Sequence, residues 1–208
     1  HTLVADHVVQ GRVIFPGAGY LEMARAAGAA ALHGVYFLQP LVVVEAAGLL
    51  VECALADGRF EVRASESEAF EDATVHCSGA TASDAGWQRV DHASPCTLSR
   101  AVDVAALYDG FDAVGLQYGP GYRTLVSAWG GARDALARLC ARATHKGTQV
   151  HPADLDDALC TSAAMAASGG SETRIPFAMD GALLQGAPGE LWAVRSRTLR
   201  SPLEHANA

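Results

Sequence analysis

The chain has 208 residues, of which half are hydrophobic and 18% are charged, and its formal net charge is −8. This length allows one sizeable core or two small cores of about 100 residues each. The negative charge and the lack of a basic stripe argue against nucleic acid as a partner. No apolar run approaches the roughly 18 residues that a membrane helix needs, so no membrane association is expected.

The cysteines and the chain start indicate a cytoplasmic protein. His1 is followed by neither a charged nor an apolar leader, and the missing initiator Met suggests a piece of a longer protein. No C-x-x-C pair, GxGxxG or GxxxxGK[ST] pattern occurs, so we expect no metal and no nucleotide cofactor. The cysteines are expected to be reduced thiols; they are Cys53, Cys77, Cys96, Cys140 and Cys160.

The first half predicts a loop and short extended segment over 1–16, and then a helix. Pro16 pre-sets the first turn of that helix, and helically spaced apolar residues continue it to about Leu32. An Asp57-Gly58 pair between β-rich runs predicts a hairpin. Strands are expected over 41–45, 49–55, 59–64 and 73–78.

The second half partly repeats this order after a stretch, 79–100, with the Gly-, Ser-, Asp- and Pro-rich composition of a linker. Helices are predicted over 102–111 and from His151-Pro152 to about Ala167. Strands are expected over 122–129, 135–143, 175–184 and 191–194. One apolar helix and several strands in each half indicate an α+β protein with two similar lobes, 1–80 and 101–208, joined by a linker over 81–100.

Three motifs stand along the chain in a defined order. They are His-x3-Gly-x4-Pro from His7 through Gly11 to Pro16, Tyr-Gly-Pro at Tyr118, Gly119 and Pro120, and His-Pro-x3-Asp from His151 and Pro152 to Asp156. Together they resemble the dehydratase domain of modular polyketide synthases and of animal-type fatty acid synthases. Arg174-Ile-Pro176-Phe177 extends the likeness.

The resemblance implies a double hot-dog fold, in which two antiparallel sheets each wrap a central helix. Family members carry an extra N-terminal strand region before the position of His1, so the first lobe is expected to be incomplete. The family acts on chains held by the phosphopantetheine of an acyl carrier protein, beside neighbouring synthase domains, and commonly forms homodimers.

Dehydration of a β-hydroxyacyl thioester needs a base for the α-proton and an acid for the leaving hydroxide. Imidazole, with a pKa of about 6.5, suits the first role. By resemblance His7 is the base and Asp156 the acid, on the loop before one helix and on the first turn of another. An acid at pH 7 needs apolar surroundings that raise its pKa, against the helix dipole.

The resemblance gives further residues binding roles. The Gly17 amide would hold the thioester carbonyl, and Tyr118 would assist the substrate hydroxyl or Asp156. Cys160 takes the position where the family has Gln or His, one turn after the acid, and a thiol is a weak hydrogen-bond partner. The structural motif residues are Gly11, Pro16, Gly119, Pro120, His151 and Pro152.

Other interpretations remain open at this point. Taken singly, His7 is an ordinary loop histidine and Asp156 a carboxylate near a helix start. A relative with the same histidine could move a double bond or close a ring, a domain with Cys160 could be purely structural, and a hot-dog thioesterase would share the fold. The retained Asp156 favours dehydration.

Overall fold

The computed structural model describes residues 3–43, 48–82, 100–165, 175–184 and 191–196. The helices are α1 Gly17–Ala26, α2 Val104–Ala113 and α3 Pro152–Cys160. The strands are β1 His7–Val9, β2 Arg12–Val13, β3 Ala31–Phe37, β4 Leu50–Ala56, β5 Arg59–Ser65, β6 Thr74–Thr81, β7 Arg100–Val102, β8 Leu116–Tyr118, β9 Leu125–Gly130, β10 Asp134–Leu139, β11 Ala178–Leu183 and β12 Leu191–Ser196.

The first lobe is an antiparallel sheet in the order β11-β3-β6-β5-β4 that covers α1. Alternate residues of β5, among them Phe60 and Val62, are buried, as expected where one sheet face meets a core. They share a hydrophobic cluster with Tyr20, Leu21 and Ala24 of α1. The sheet therefore buries the apolar stripe that the sequence shows along α1.

Helix α1 ends at Ala26, not at Leu32 as predicted. The amide of Gly28 donates to the Arg25 carbonyl and that of Ala29 to the Ala24 carbonyl, at 3.0 and 2.9 Å. Gly28 has φ +112°, so these bonds form a Schellman cap, which ends a helix. The freed residues form β3, a strand that the sequence analysis missed.

The predicted hairpin is present. Ala56 pairs with Arg59 across Asp57 and Gly58, whose φ values are +50° and +71°. Two positive φ angles define the tight turn whose twist matches that of paired strands. The neighbouring β4, β5 and β6 lie close to their predicted positions. The strand expected over 41–45 is reduced, in its described part, to a single bridge between Ile14 and Val42.

The second lobe is an antiparallel sheet in the order β12-β10-β9-β7, packed on α3 and α2. Its core holds Ala135, Ala137 and Leu139 of β10 together with Ala153 of α3. Helix α3 ends at Cys160, earlier than predicted, and continues as a 3-10 turn over Thr161–Ala164.

Two strands of this lobe are shorter than predicted. Strand β9 begins only at Leu125, because Pro120–Tyr122 forms a 3-10 turn. Strand β10 ends at Leu139. Of the expected linker, residues 83–99 lie outside the described residues, and β6 runs on to Thr81.

Strand β11 belongs to the first sheet, although its residues lie in the range predicted for the second lobe. It pairs antiparallel with β3, for example Gly181 with His33. Strand β3 pairs with β6 on one side, and β11 covers its other side. Without β11, the backbone N–H and C=O groups on that side would have no strand partner. Among the described helices, none is long and apolar enough to cross a membrane.

A third sheet joins the two lobes in the order β2-β1-β8. Strand β1 near the start of the chain pairs antiparallel with β8, with His7 opposite Tyr118. Glu22 of α1 adds a second link, since its carboxylate accepts from the amides of Gln149 and Val150 ahead of α3, at 2.8 and 3.3 Å. Residues far apart in sequence are thereby brought to one place.

A glycine-to-alanine pair tests the packing of the second lobe. A Cβ at Gly130 would overlap the carbonyl oxygen of Ala164, so the backbone would have to move. Gly130→Ala should lower the free energy of unfolding by about 3 kcal/mol. The matched control, Gly110→Ala on the exposed face of α2, meets no atom within 4 Å and should raise it by about 0.5–1 kcal/mol. Urea unfolding measures both, and equal effects would contradict the predicted close approach.

Candidate active site

His7 is buried, and one hydrogen bond determines its tautomer. Its Nδ1 lies 2.7 Å from the carbonyl oxygen of Ile14. A carbonyl can only accept, so Nδ1 carries the proton and donates it. The lone pair of neutral His7 is therefore on Nε2, the atom that faces α3. This is the arrangement that a general base requires.

Asp156 lies across from His7, with its Oδ2 3.8 Å from His7 Nε2. The structure thus brings together the two residues that the motifs single out. Asp156 Oδ2 is buried and has no hydrogen-bond partner among the described residues. Because α3 begins at Pro152, Asp156 lies in the second turn of the helix and not in the first as predicted.

Burial raises the pKa of Asp156, and the neighbouring His7 and Tyr118 lower it only in part. Desolvation disfavours the charged carboxylate, so the neutral acid gains relative to the anion. The direction is the one that a proton donor near neutral pH needs. The helix dipole contributes less than predicted, since it fades beyond the first turn.

Tyr118 is directly opposite His7 in the β1–β8 pair, and the ring centroids are 5.7 Å apart. Its hydroxyl lies 3.3 Å from the sulfur of Cys160. Burial raises the pKa of the Tyr118 phenol, and the nearby Asp156 carboxyl adds to the effect. Tyr118 is therefore a neutral hydrogen-bonding group beside the acid.

Cys160 lies one helical turn after Asp156, and its observed hydrogen-bond partner is Tyr118. Burial raises the pKa of the Cys160 thiol, and the Asp156 carboxyl raises it further. A partly buried thiol with a raised pKa stays protonated and is a poor nucleophile. Its role in this site is contact with Tyr118.

The start of α1 carries two of the predicted site residues. Gly17 is its first residue, after Pro16 as N-cap, and the ring of Phe37 lies next to Gly17. Amides in the first turn of a helix have no partner within that helix, so they are available to an acceptor. The amide of Gly11, in the turn between β1 and β2, donates to the side-chain oxygen of Gln117 at 2.8 Å.

Asp6 joins the His7 loop to the Tyr-Gly-Pro turn by two hydrogen bonds. The sequence motifs did not single out this residue. Its carboxylate accepts from the Gly121 amide at 2.7 Å, and its carbonyl accepts from the Gly119 amide at 2.8 Å. Pro120 begins the 3-10 turn between these two glycines. The signal available in the sequence was an acidic residue next to the motif histidine.

His151 is the N-cap of α3 and lies apart from the His7–Asp156 pair. Its Nδ1 accepts from the Ala153 amide at 3.2 Å, and Pro152 occupies the first helical position. Burial lowers the pKa of His151 to about 4, and the positive charges of Arg142 and Lys146 act in the same direction. His151 is therefore neutral at pH 7 and helps to hold the helix that carries Asp156.

Arg142 fixes the same helix end from another direction. Its Nε donates to Asp154 at 2.6 Å, and its Nη2 donates to the carbonyl of Gly121 at 3.1 Å. The helix carrying Asp156 and the turn following Tyr118 are thus joined by one guanidinium. The sequence did not single out Arg142, and it indicated Asp154 only as a like charge near Asp156.

Comparison with known proteins shows which family models match this chain. Residues 1–67 match the family model described as polyketide synthase dehydratase domain. Residues 90–208 match the model described as polyketide synthase dehydratase N-terminal domain.

Curated relatives are much longer proteins. Polyketide synthase ThaG of Burkholderia thailandensis is 34% identical over 93% of this chain, and polyketide synthase PksN of Bacillus subtilis is 30% identical over 84%. The chain spans about 4% of the length of each.

Solved structures show the same fold. The dehydratase domain from the terminal module of the rifamycin polyketide synthase is 28% identical, with a TM-score of 0.76, and the match covers 96% of this chain and 78% of that one. The dehydratase domain from the CurF module of the curacin synthase has a TM-score of 0.79 at 23% identity, over 97% and 80%. The predicted α+β double hot-dog fold is confirmed.

Replacing His151 tests its neutral, capping state. His151→Asn keeps a good N-cap but removes the titrating ring. The folded-state pKa of His151 lies below that of the unfolded chain, so its contribution to stability is present above about pH 6.5 and is lost as the pH falls toward 4. Wild type should therefore lose stability relative to His151→Asn between pH 6.5 and 4. Denaturant unfolding across this range measures the difference, with exposed His33→Asn as the control. Parallel curves for wild type and His151→Asn would show that His151 is not held neutral.

Proposed function

The chain belongs to the polyketide synthase dehydratase family, and we propose that His7 and Asp156 are its catalytic base and acid. Members of this family are lyases that remove water from β-hydroxyacyl intermediates during polyketide synthesis. The observation that carries the assignment of the two roles is the buried pair itself. A histidine with its free nitrogen fixed by Ile14 faces a carboxyl whose pKa is raised by burial.

In the proposed elimination, His7 and Asp156 together account for every proton and electron pair that moves. His7 Nε2 takes the α-proton, and the electron pair of that C–H bond becomes the new Cα–Cβ double bond. The C–O bond at the β-carbon breaks as Asp156 gives its proton to the departing hydroxyl, which leaves as water. The imidazolium of His7 and the carboxylate of Asp156 remain, and proton transfer between them restores the starting state.

Neighbouring groups support each half of the step. The Ile14 carbonyl accepts a hydrogen bond from Nδ1–H and so stabilises His7 when it becomes positively charged. We place the thioester carbonyl at the Gly17 amide, where the start of α1 favours the negative charge that develops on the oxygen. Tyr118, beside Asp156, would hold the substrate hydroxyl.

The partners follow from the family and belong to the proposal. Because the chain corresponds to a small part of multidomain synthases, it works next to other synthase domains. Its substrate would arrive on the phosphopantetheine of an acyl carrier protein, with no further cofactor, in the cytoplasm. Pairing of two copies is part of the same proposal.

Double-bond migration or ring closure by the same histidine is less favoured by the geometry. Relatives of that kind often lack the acid, whereas Asp156 is retained here and lies 3.8 Å from His7 in a buried setting. A thioesterase or a purely structural domain leaves the meeting of these two residues unexplained. Dehydration accounts for both.

A mass-spectrometric assay of water loss from a β-hydroxyacyl thioester tests the proposal. Wild type should form the α,β-unsaturated product, His7→Ala should abolish it, and Asp156→Asn should slow it by roughly 10²-fold or more. His33→Ala and Asp109→Asn, both at exposed positions, are the matched controls and should leave the rate unchanged. Circular dichroism checks folding. Substantial water loss by folded His7→Ala would rule out the base.

Cys160 gives a second prediction about the same site. Cys160→Gln supplies an amide one turn after Asp156, which can hold the carboxyl more firmly than a thiol can. The dehydration rate should rise, or at least not fall, and the pH–rate profile should shift because the bonded carboxyl has a different pKa. Cys140→Gln, at an exposed thiol, is the control. Loss of activity in a variant with unchanged thermal stability would show that the thiol has a function of its own.

A further inference from the structure

Asp157, the residue directly after the proposed acid, is at the centre of a buried polar network. It is 1% exposed, and its Oδ2 accepts three hydrogen bonds. The Thr124 amide and hydroxyl donate at 2.6 Å each, and the Tyr108 hydroxyl donates at 3.0 Å. The Tyr108 hydroxyl in turn accepts from the Leu125 amide at 3.1 Å. One carboxylate oxygen thus joins α3, α2 and the start of β9.

We infer that Asp157 is a positioning residue that fixes the rotation of α3 and thereby the distance between Asp156 and His7. This inference rests on the proposed function. Consecutive residues of an α-helix point about 100° apart. Asp156 can therefore face His7 in the first lobe while Asp157 faces the start of β9 in the second.

The size of the effect follows from helix geometry. A side-chain terminus lies roughly 5–6 Å from the helix axis, so a rotation of about 10° moves it by about 1 Å. Misplacing a catalytic group by 1 Å can cost on the order of 10²-fold in rate. The 3.8 Å separation between Asp156 and His7 is thus sensitive to small rotations of α3.

The chemistry of the network fits a fixed anchor. Short bonds from two hydroxyls and an amide to one oxygen are typical of an ionised acceptor. Burial raises the pKa of Asp157 to about 6, although the Thr124 and Tyr108 donors lower it, so the group is mostly ionised at pH 7. Its Oδ1 is buried without a hydrogen-bond partner among the described residues. A buried carboxylate with hydrogen bonds to only one of its oxygens contributes little to the free energy of folding. It does constrain the direction of the helix.

The other attachments of α3 leave this role to Asp157. His151, Asp154 and the Glu22 contacts all act at or before the first turn. After Asp156, the Cys160 thiol makes one weak sulfur contact with the Tyr118 hydroxyl at 3.3 Å, and the Thr161 hydroxyl bonds back to the Asp157 carbonyl within the same segment. Asp157 is the side chain directly after the proposed acid, and its carboxylate accepts three hydrogen bonds from Tyr108 of α2 and from Thr124, the residue before β9.

The test compares single variants in two backgrounds, wild type and Asp156→Asn. Thr124→Val and Tyr108→Phe each remove one hydroxyl donor and keep the shape, and Asp157→Ala removes the acceptor. We expect kcat for water loss to fall about 3- to 10-fold for the first two and by up to about 10²-fold for Asp157→Ala, with KM unchanged. Asp157→Asn keeps an oxygen acceptor and should retain more of kcat than Asp157→Ala.

The Asp156→Asn background separates positioning from a general structural role. If Asp157 acts through Asp156, its replacements should cause no further loss once Asp156 is Asn. Tyr36→Phe, at an exposed tyrosine, is the control and should change neither background. Thermal unfolding confirms that each variant is folded, and Thr124→Val and Tyr108→Phe carry the test if Asp157→Ala does not fold.

Two results are distinguishable. An unchanged kcat in folded Thr124→Val and Tyr108→Phe, or the same loss in both backgrounds, would overturn the positioning role while the acid assignment stands. Full activity of Asp156→Asn alone would instead remove the proposed acid, whatever the Asp157 variants show.

Discussion

Strand pairing between β1 and β8 is the constraint on which the site depends. It sets His7 opposite Tyr118 and so brings the beginning of the chain onto the second lobe. Asp6 reinforces the pairing by accepting from the amides of Gly119 and Gly121. This small sheet, together with the Glu22 link, sets the position of His7 relative to the helix that carries Asp156.

Burial then sets the chemistry of the groups brought together. Desolvation raises the pKa of Asp156, and it keeps Tyr118 and Cys160 protonated. His7 is oriented by a backbone carbonyl rather than by a carboxylate, so no second anion competes for its Nδ1 proton. Two ordinary side chains thereby suit the proposed roles of acid and base, because one is desolvated and the other has its tautomer fixed.

Helix α3, an element of nine residues, is held by side chains at several points. His151 caps its start, Arg142 binds Asp154, and Asp157 reaches β9. These contacts matter because Cys160 stands where the family has Gln or His. Its sulfur contacts Tyr118 and not Asp156. The proposed positioning by Asp157 would therefore orient Asp156 through the helix itself, without a hydrogen bond from the side chain one turn away.

The sequence by itself determined those features of the protein that depend on a few neighbouring residues. The Asp57-Gly58 hairpin, the helix after Pro152 and the motif residues His7 and Asp156 could be recognised because turn geometry, proline and residue type act over a few positions. Its strongest result was the family resemblance carried by the ordered motifs. Only the tertiary structure decided that β11 crosses to the first sheet, and that Asp157 reaches β9. Both contacts join residues that are distant in the chain. Unpaired strand edges and buried polar atoms determine these partners, and they exist only once the chain is folded.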